Sequence, residues 1–133
     1  MSLSDTKETE IFNAIFNGTP YSETGPITVG LGTAASESSF TEPTSAQYST
    51  YARQTIAATK SGETVTLANS TNAANNIEFP ALAVGDTGCS ITPAAIFNAG
   101  GNVIAWCEVL PQVDVVAGDN PEISPNTLTV KIL

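Results

Sequence analysis

Cys89-Ser90-Ile91-Thr92-Pro93-Ala94-Ala95-Ile96-Phe97-Asn98-Ala99-Gly100-Gly101-Asn102-Val103-Ile104-Ala105-Trp106-Cys107-Glu108-Val109 is the stretch on which the fold turns. Cys89 to Thr92 leads into Ala94 to Phe97, an apolar run. Asn98 to Asn102 is a turn by composition, because Asn and Gly accept the backbone angles a tight reversal needs. Val103 to Val109 then returns with β-branched and aromatic residues. Two strand-like runs flanking an Asn/Gly cluster read as a β-hairpin. Ile104 and Trp106 are two apart and share one face, so Trp106 is expected to be largely core.

The pattern continues outward in both directions. Gln112 to Val115 begins another strand, Ala117-Gly118-Asp119-Asn120-Pro121 breaks the chain, and Leu128-Thr129-Val130-Lys131-Ile132-Leu133 alternates strictly to the last residue. Upstream, Ile27 to Leu31 alternates as a half-buried strand does. Tyr51 to Ile56 is a second strand. A turn at Lys60-Ser61-Gly62-Glu63 leads to Thr64 to Leu67. Asn69 to Asn76 is polar, and Ile77 to Phe79 is a short strand ended by Pro80. Residues 33 to 50, rich in Ser, Thr and Ala, read as an extended loop or arm.

The N-terminal segment differs. Asp5 is placed to cap a helix, with Glu8 closing a capping box. Ile11, Phe12, Ile15 and Phe16 form two i,i+4 pairs on one face. Gly18 and Pro20 stop the helix by residue 18. Its apolar face has two readings, a cover for the domain's own core or a docking surface for a neighbouring subunit. The sum is a mainly β fold: an antiparallel β-sandwich or jelly-roll-like barrel of about seven or eight short strands with one N-terminal α-helix, in one domain over residues 1 to 133.

Composition restricts the chemistry. The chain of 133 residues carries 13 acids against four bases, a formal net charge of −9. Lys7, Arg53, Lys60 and Lys131 are too scattered to build a basic patch, so direct nucleic-acid binding and an anionic membrane surface are disfavoured. No run is long and apolar enough to span a bilayer, and the N-terminus lacks the charged and apolar regions of a signal peptide. Synthesis in a cytoplasm follows, with Cys89 and Cys107 read as reduced, buried residues; a disulfide between them stays open. Asn17-Gly18-Thr19 and Asn69-Ser70-Thr71 then match the glycosylation pattern by chance.

There is no histidine. The commonest general base and metal ligand is missing, and no Ser–His or Cys–His dyad can form. Val29-Gly30-Leu31-Gly32-Thr33-Ala34 lacks the third glycine and the βαβ context of a dinucleotide loop. Glu78 and Glu108 are the candidate carboxylate pair, and Asp114, Asp119 and Glu122 the candidate calcium oxygens; solvated positions explain both sets more simply. The expectation is no enzyme, no cofactor and no metal. Tyr48, Tyr51 and Arg53 cluster as a stacking platform or, more simply, an interface or packing contact. The candidate partner interface is therefore Ile11, Phe12, Ile15, Phe16, Tyr48, Tyr51 and Arg53.

Several segments together carry a resemblance. They are Asp5-Thr6 with Ile11 to Thr19, Val29-Gly30-Leu31 with Thr33-Ala34, Glu42-Pro43, Tyr51-Ala52-Arg53, Ile77 to Pro80, Ile96 to Asn102, and Val115 to Leu133 with Ala117-Gly118-Asp119. In this order the chain resembles small phage virion structural proteins, a family often labelled tail-fibre-like, some of whose members are capsid cement or decoration proteins. The resemblance implies a non-enzymatic part of the virion. The reading drawn from it is a cement protein on the capsid surface, bound to the major capsid protein and to copies of itself, with trimers expected from the class. The alternative is a tail-fibre or baseplate adaptor, and a carbohydrate-binding module using Tyr48, Tyr51 or Trp106 ranks below both.

Overall fold

The computed structural model describes residues 2–19, 25–62 and 64–131. Pro20, Glu63, Ile132 and Leu133, each part of an expectation above, lie outside the described residues.

The hairpin forms as the sequence implies. Strand β8 (Cys89–Phe97) pairs antiparallel with β9 (Val103–Val115). At the turn, Asn98 N–H donates to the Asn102 carbonyl (3.0 Å), Asn98 Oδ1 accepts from Asn102 N–H (2.9 Å), and Gly101 sits at φ 82°. Strand β9 is longer than expected because it passes through Pro111. Ile91 faces Val113 and Pro93 faces Glu108, so Thr92 alone stands against Val109, Leu110, Pro111 and Gln112. That bulge hosts the proline, which has no N–H to give a ladder.

Strand β2 (Ile27–Leu31) pairs with β8 on one side and with β5 (Gln54–Ser61) on the other. Beyond β5 come β6 (Thr64–Asn69) and β11 (Leu128–Lys131), the C-terminal strand expected from its alternation. The opposite edge is β1 (Ser2–Leu3), which pairs with Ala105 and Trp106 of β9. The main sheet thus runs β1-β9-β8-β2-β5-β6-β11, antiparallel throughout. Two ribbons complete the mainly β, sandwich- or barrel-like fold: β7 (Ile77–Glu78) with β10 (Glu122–Ile123), and β3 (Ala34–Ser36) with β4 (Ser39–Thr41). The core gathers Val29, Ile56, Leu67, Ile77, Phe79, Ile91, Ile96, Val115 and Leu128. Burying such side chains contributes roughly 1.5–3 kcal/mol each.

Three expectations are corrected. Residues 33 to 50 are not a bare arm: they hold the β3–β4 ribbon and a turn at Thr44, and Tyr48 within them is 1% exposed. Gly32 permits this packing, since a Cβ there would meet Phe40 Cζ at 2.6 Å. The strand expected at Tyr51 starts at Gln54 and runs on to Ser61, its alanines being held by pairing with β6. Finally, helix α1 (Asp5–Phe16) is capped by Ser4, whose side chain accepts from Lys7 N–H (3.4 Å), and Asp5 is the first helical residue. Ser4 wins because its hydroxyl also donates to the Val103 carbonyl at 2.7 Å, which anchors the cap to the sheet.

Candidate interaction site

Helix α1 touches the domain at its N-terminal end. Ser4 N–H donates to the Ile104 carbonyl, and Asp5 N–H to the Glu37 carbonyl. The buried residue of the helix is Lys7, paired with Glu10 at 2.6 Å. The apolar end points away: Phe12, Ile15 and Phe16 are 54, 68 and 70% exposed, and Ile11 is half-buried. The reading of this face as a cover for the chain's own core is therefore corrected. The aliphatic and aromatic residues sit toward the C-terminal turn, while backbone hydrogen bonds to Ile104 of β9 and to Glu37 tie down the N-terminal end. Phe12 and Phe16 pack against each other, tilted by 37° with ring centroids 4.8 Å apart, so the helix presents a preassembled aromatic pair. Asn17 and Gly18 (φ 66°) end the helix, and Thr19 N–H closes on the Asn13 carbonyl. Exposed apolar residues in such a group mark interaction surfaces in soluble proteins.

The second cluster of candidates has a different character. Tyr48 is core, and its hydroxyl donates to the Pro80 carbonyl. Burial, then the charge of nearby Cys89 and Asp86, pushes its phenol up to about 12. Tyr51 lies edge-on to Tyr48 (5.3 Å) and parallel to Phe79 (6.4 Å). Its oxygen accepts from Leu31 N–H at 2.9 Å and lies 2.8 Å from Glu42 Oε1 and 3.1 Å from the Leu31 carbonyl, its two possible acceptors. Arg53 grips the same carboxylate with two bonds, Nε to Oε1 at 2.9 Å and an Nη to Oε2 at 2.7 Å. The guanidinium also lies over Phe97, 3.5 Å from the ring centroid.

This is a clasp between the β3–β4 ribbon and the main sheet. Burial alone would raise the Glu42 carboxyl, but the bonds from Arg53 and Tyr51 and the charge of Arg53 outweigh it, leaving Glu42 below its ordinary value. The hydrogen bond to Glu42 raises Arg53 further against a smaller burial effect, and burial with the Glu42 contact holds the Tyr51 phenol well above its usual range. Gly30 makes the space: a Cβ there would meet Tyr51 Oη at 2.7 Å, Phe97 Cε2 at 2.8 Å and Glu42 Oε1 at 3.2 Å. Thus Gly30 of the Val29–Ala34 run serves a close approach of side chains. Each polar group of the clasp has an internal partner, which is a tie between segments rather than an open stacking platform. The sequence named Tyr51 and Arg53 but not Glu42, whose position before Pro43 carries no spacing signal toward either.

The remaining candidates do not converge. Glu78 sits opposite Glu122 in the β7–β10 ribbon, whereas Glu108 sits opposite Pro93 in the main sheet. Asp114 accepts from Ser90 and Gln112, and Asp119 accepts from Val116 N–H. No group of three or more acidic or thiol side chains is arranged to hold a metal among the described residues. Cys89 and Cys107 are free and half-buried, opposite Val115 and Ala94 respectively. Trp106 is half-buried rather than core, and its buried Nε1 has no acceptor among the described residues. No helix of the described residues is long and apolar enough to cross a membrane.

Comparison with known proteins bears on this surface-dominated picture. A family model described as podophage GP4 fiber I protein gp80 matches residues 2–131. A search of curated proteins found no match.

Proposed function

We propose that this chain, which belongs to the podophage GP4 fiber I protein gp80 family and is a phage virion structural protein, is an adhesive subunit on the outside of the particle, seated through helix α1. The observation that carries the reading is the exposed Phe12–Ile15–Phe16 end of a helix whose other end is fastened to the sheet. A partner that covers these side chains would gain roughly 1.5–3 kcal/mol for each one fully buried. Many such contacts on one particle reinforce one another by avidity. The partners are other virion proteins and copies of this chain; nucleic acid and membrane are not among them, and no catalysis is assigned.

Two seats suit such a subunit. On the capsid lattice it is a cement protein that braces the major capsid protein. In a fibre or its adaptor it joins a slender assembly to the particle, and the description of the matching family as a fiber protein favours this second seat. Copy number separates them. Quantitative mass spectrometry of purified particles would find hundreds of copies for a lattice seat and a few dozen or fewer for a fibre seat. Absence from the particle would remove both.

A further inference from the structure

We propose that the open seam beside β9 receives an extended apolar segment of a partner protein that carries a lysine or arginine next to its apolar residues. The inference rests on the structural reading above for its partner, another protein of the particle; the seam itself is independent of α1.

The seam begins with an unused strand edge. Among the described residues, β9 pairs on its outer side only at Ala105 and Trp106, with β1. From Cys107 to Val115 no strand pairs with that edge among the described residues. Such an edge is a row of backbone donors and acceptors ready to take another strand. The bulge opposite Thr92 thrusts Leu110 out, and it is 81% exposed. Beside this edge runs a groove of about 380 Å³, lined by Val109, Val113 and Val115 of β9 together with Ile123 of β10 and Leu128 of β11. Side chains alternating along an inserted strand would enter this groove at every second position. Trp106, whose buried indole N–H has no acceptor among the described residues, lines a second space with Glu108, Leu110 and Gln112.

Charge selects the occupant. Glu122 stands on the rim of the groove, directly opposite Glu78 in the neighbouring ribbon, and both are exposed. Like charges facing each other across a strand pair are unfavourable, and no ion pair relieves either one among the described residues. A cationic side chain at the mouth of the seam would relieve both. A second copy of this chain would instead bring its own net charge of −9. The complementary occupant is therefore an apolar strand with a basic residue.

The test uses the full chain and a short blocked peptide that alternates valine and threonine with lysine at both ends. Amide hydrogen exchange is followed residue by residue. The lysine peptide should slow exchange on the order of tenfold across Cys107–Val115. A peptide ending in glutamates should bind several-fold more weakly, and the E78Q/E122Q variant should erase that difference. Val113→Asp should abolish the protection while the melting temperature holds; Leu110→Ser, at a more exposed position, repeats the test should Val113→Asp fail to fold. No protection at millimolar peptide overturns the inference, as does protection confined to β11, or equal effects of both peptides. Concentration-dependent dimerisation that itself protects β9 would overturn it in favour of a second copy. A Phe12→Ser/Phe16→Ser variant should bind the peptide normally, so failure of the seam and failure of the α1 seat are told apart.

Discussion

Replacing Tyr51 by phenylalanine removes one oxygen and leaves the ring edge-on to Tyr48 and parallel to Phe79. That oxygen holds Leu31 N–H and touches Glu42. Leu31 is buried at the end of β2, so its amide would lose its acceptor without gaining water, at a cost of roughly 1–3 kcal/mol. Losing the hydrogen bond to an ionised carboxylate adds a smaller amount, since Glu42 keeps both bonds from Arg53. A net loss of about 2–3 kcal/mol is expected. For a chain of this size that lowers the melting temperature by roughly 6–12 °C. Urea unfolding monitored through Trp106 fluorescence should show a lower midpoint at an unchanged slope, since the exposed surface is the same. Adding Glu42→Gln to Tyr51→Phe should cost less than the two singly, with a coupling on the order of 1 kcal/mol. A loss below about 0.5 kcal/mol, with no coupling, would refute the clasp as a tie between the ribbon and the sheet.

Other outcomes follow from the same geometry. Glu42 is held below its ordinary value of 4.5 in the fold, so its contribution is complete above that pH and is lost as pH falls through the depressed folded value; Glu42→Gln should flatten the acid limb of the melting profile. Tyr48, raised to about 12, and Tyr51, raised further, stay neutral in the fold after unfolded phenols ionise near 10.0. Stability should thus be full below pH 10 and fall toward 12, less steeply in Tyr51→Phe. Gly30→Ala forces a Cβ against three side chains and should cost roughly 1–3 kcal/mol by differential scanning calorimetry. Cys89 and Cys107 are unpaired, with burial pushing both thiols up, so a reductant should leave the melting temperature unchanged and alkylation should be slow at neutral pH.

Much of the sheet is legible in local pattern. The Asn98–Asn102 reversal and the alternation of Leu128–Lys131 encode a hairpin and a strand through turn chemistry and period alone, and both are found. The pieces that escape are those fixed by distant partners. Ala34–Ser36 and Ser39–Thr41 have little strand propensity, yet they pair because Gly32 lets Phe40 settle close to Pro93. Ser2–Leu3 is held by Trp106 and Ala105, a hundred residues away in sequence. The runs read as ending at Val109 and beginning again at Gln112 are one strand, because Pro111 sits in a bulge, where its missing N–H matters little. The helix was legible as an amphipath, but its periodicity reports only that the face is apolar. Whether that face lies against the sheet depends on Ser4 bonding to Val103 and Ile104, which no helical period reveals. For the clasp, the Tyr51–Arg53 pair was visible in sequence, while Glu42 enters through a ribbon that only tertiary packing creates.

A cryo-electron-microscopy map of the intact particle tests the central claim most directly. It should show this fold on the particle exterior, with Phe12, Ile15 and Phe16 buried against a neighbouring protein. A particle in which helix α1 points into solvent, or which contains no copy of the chain, would contradict it.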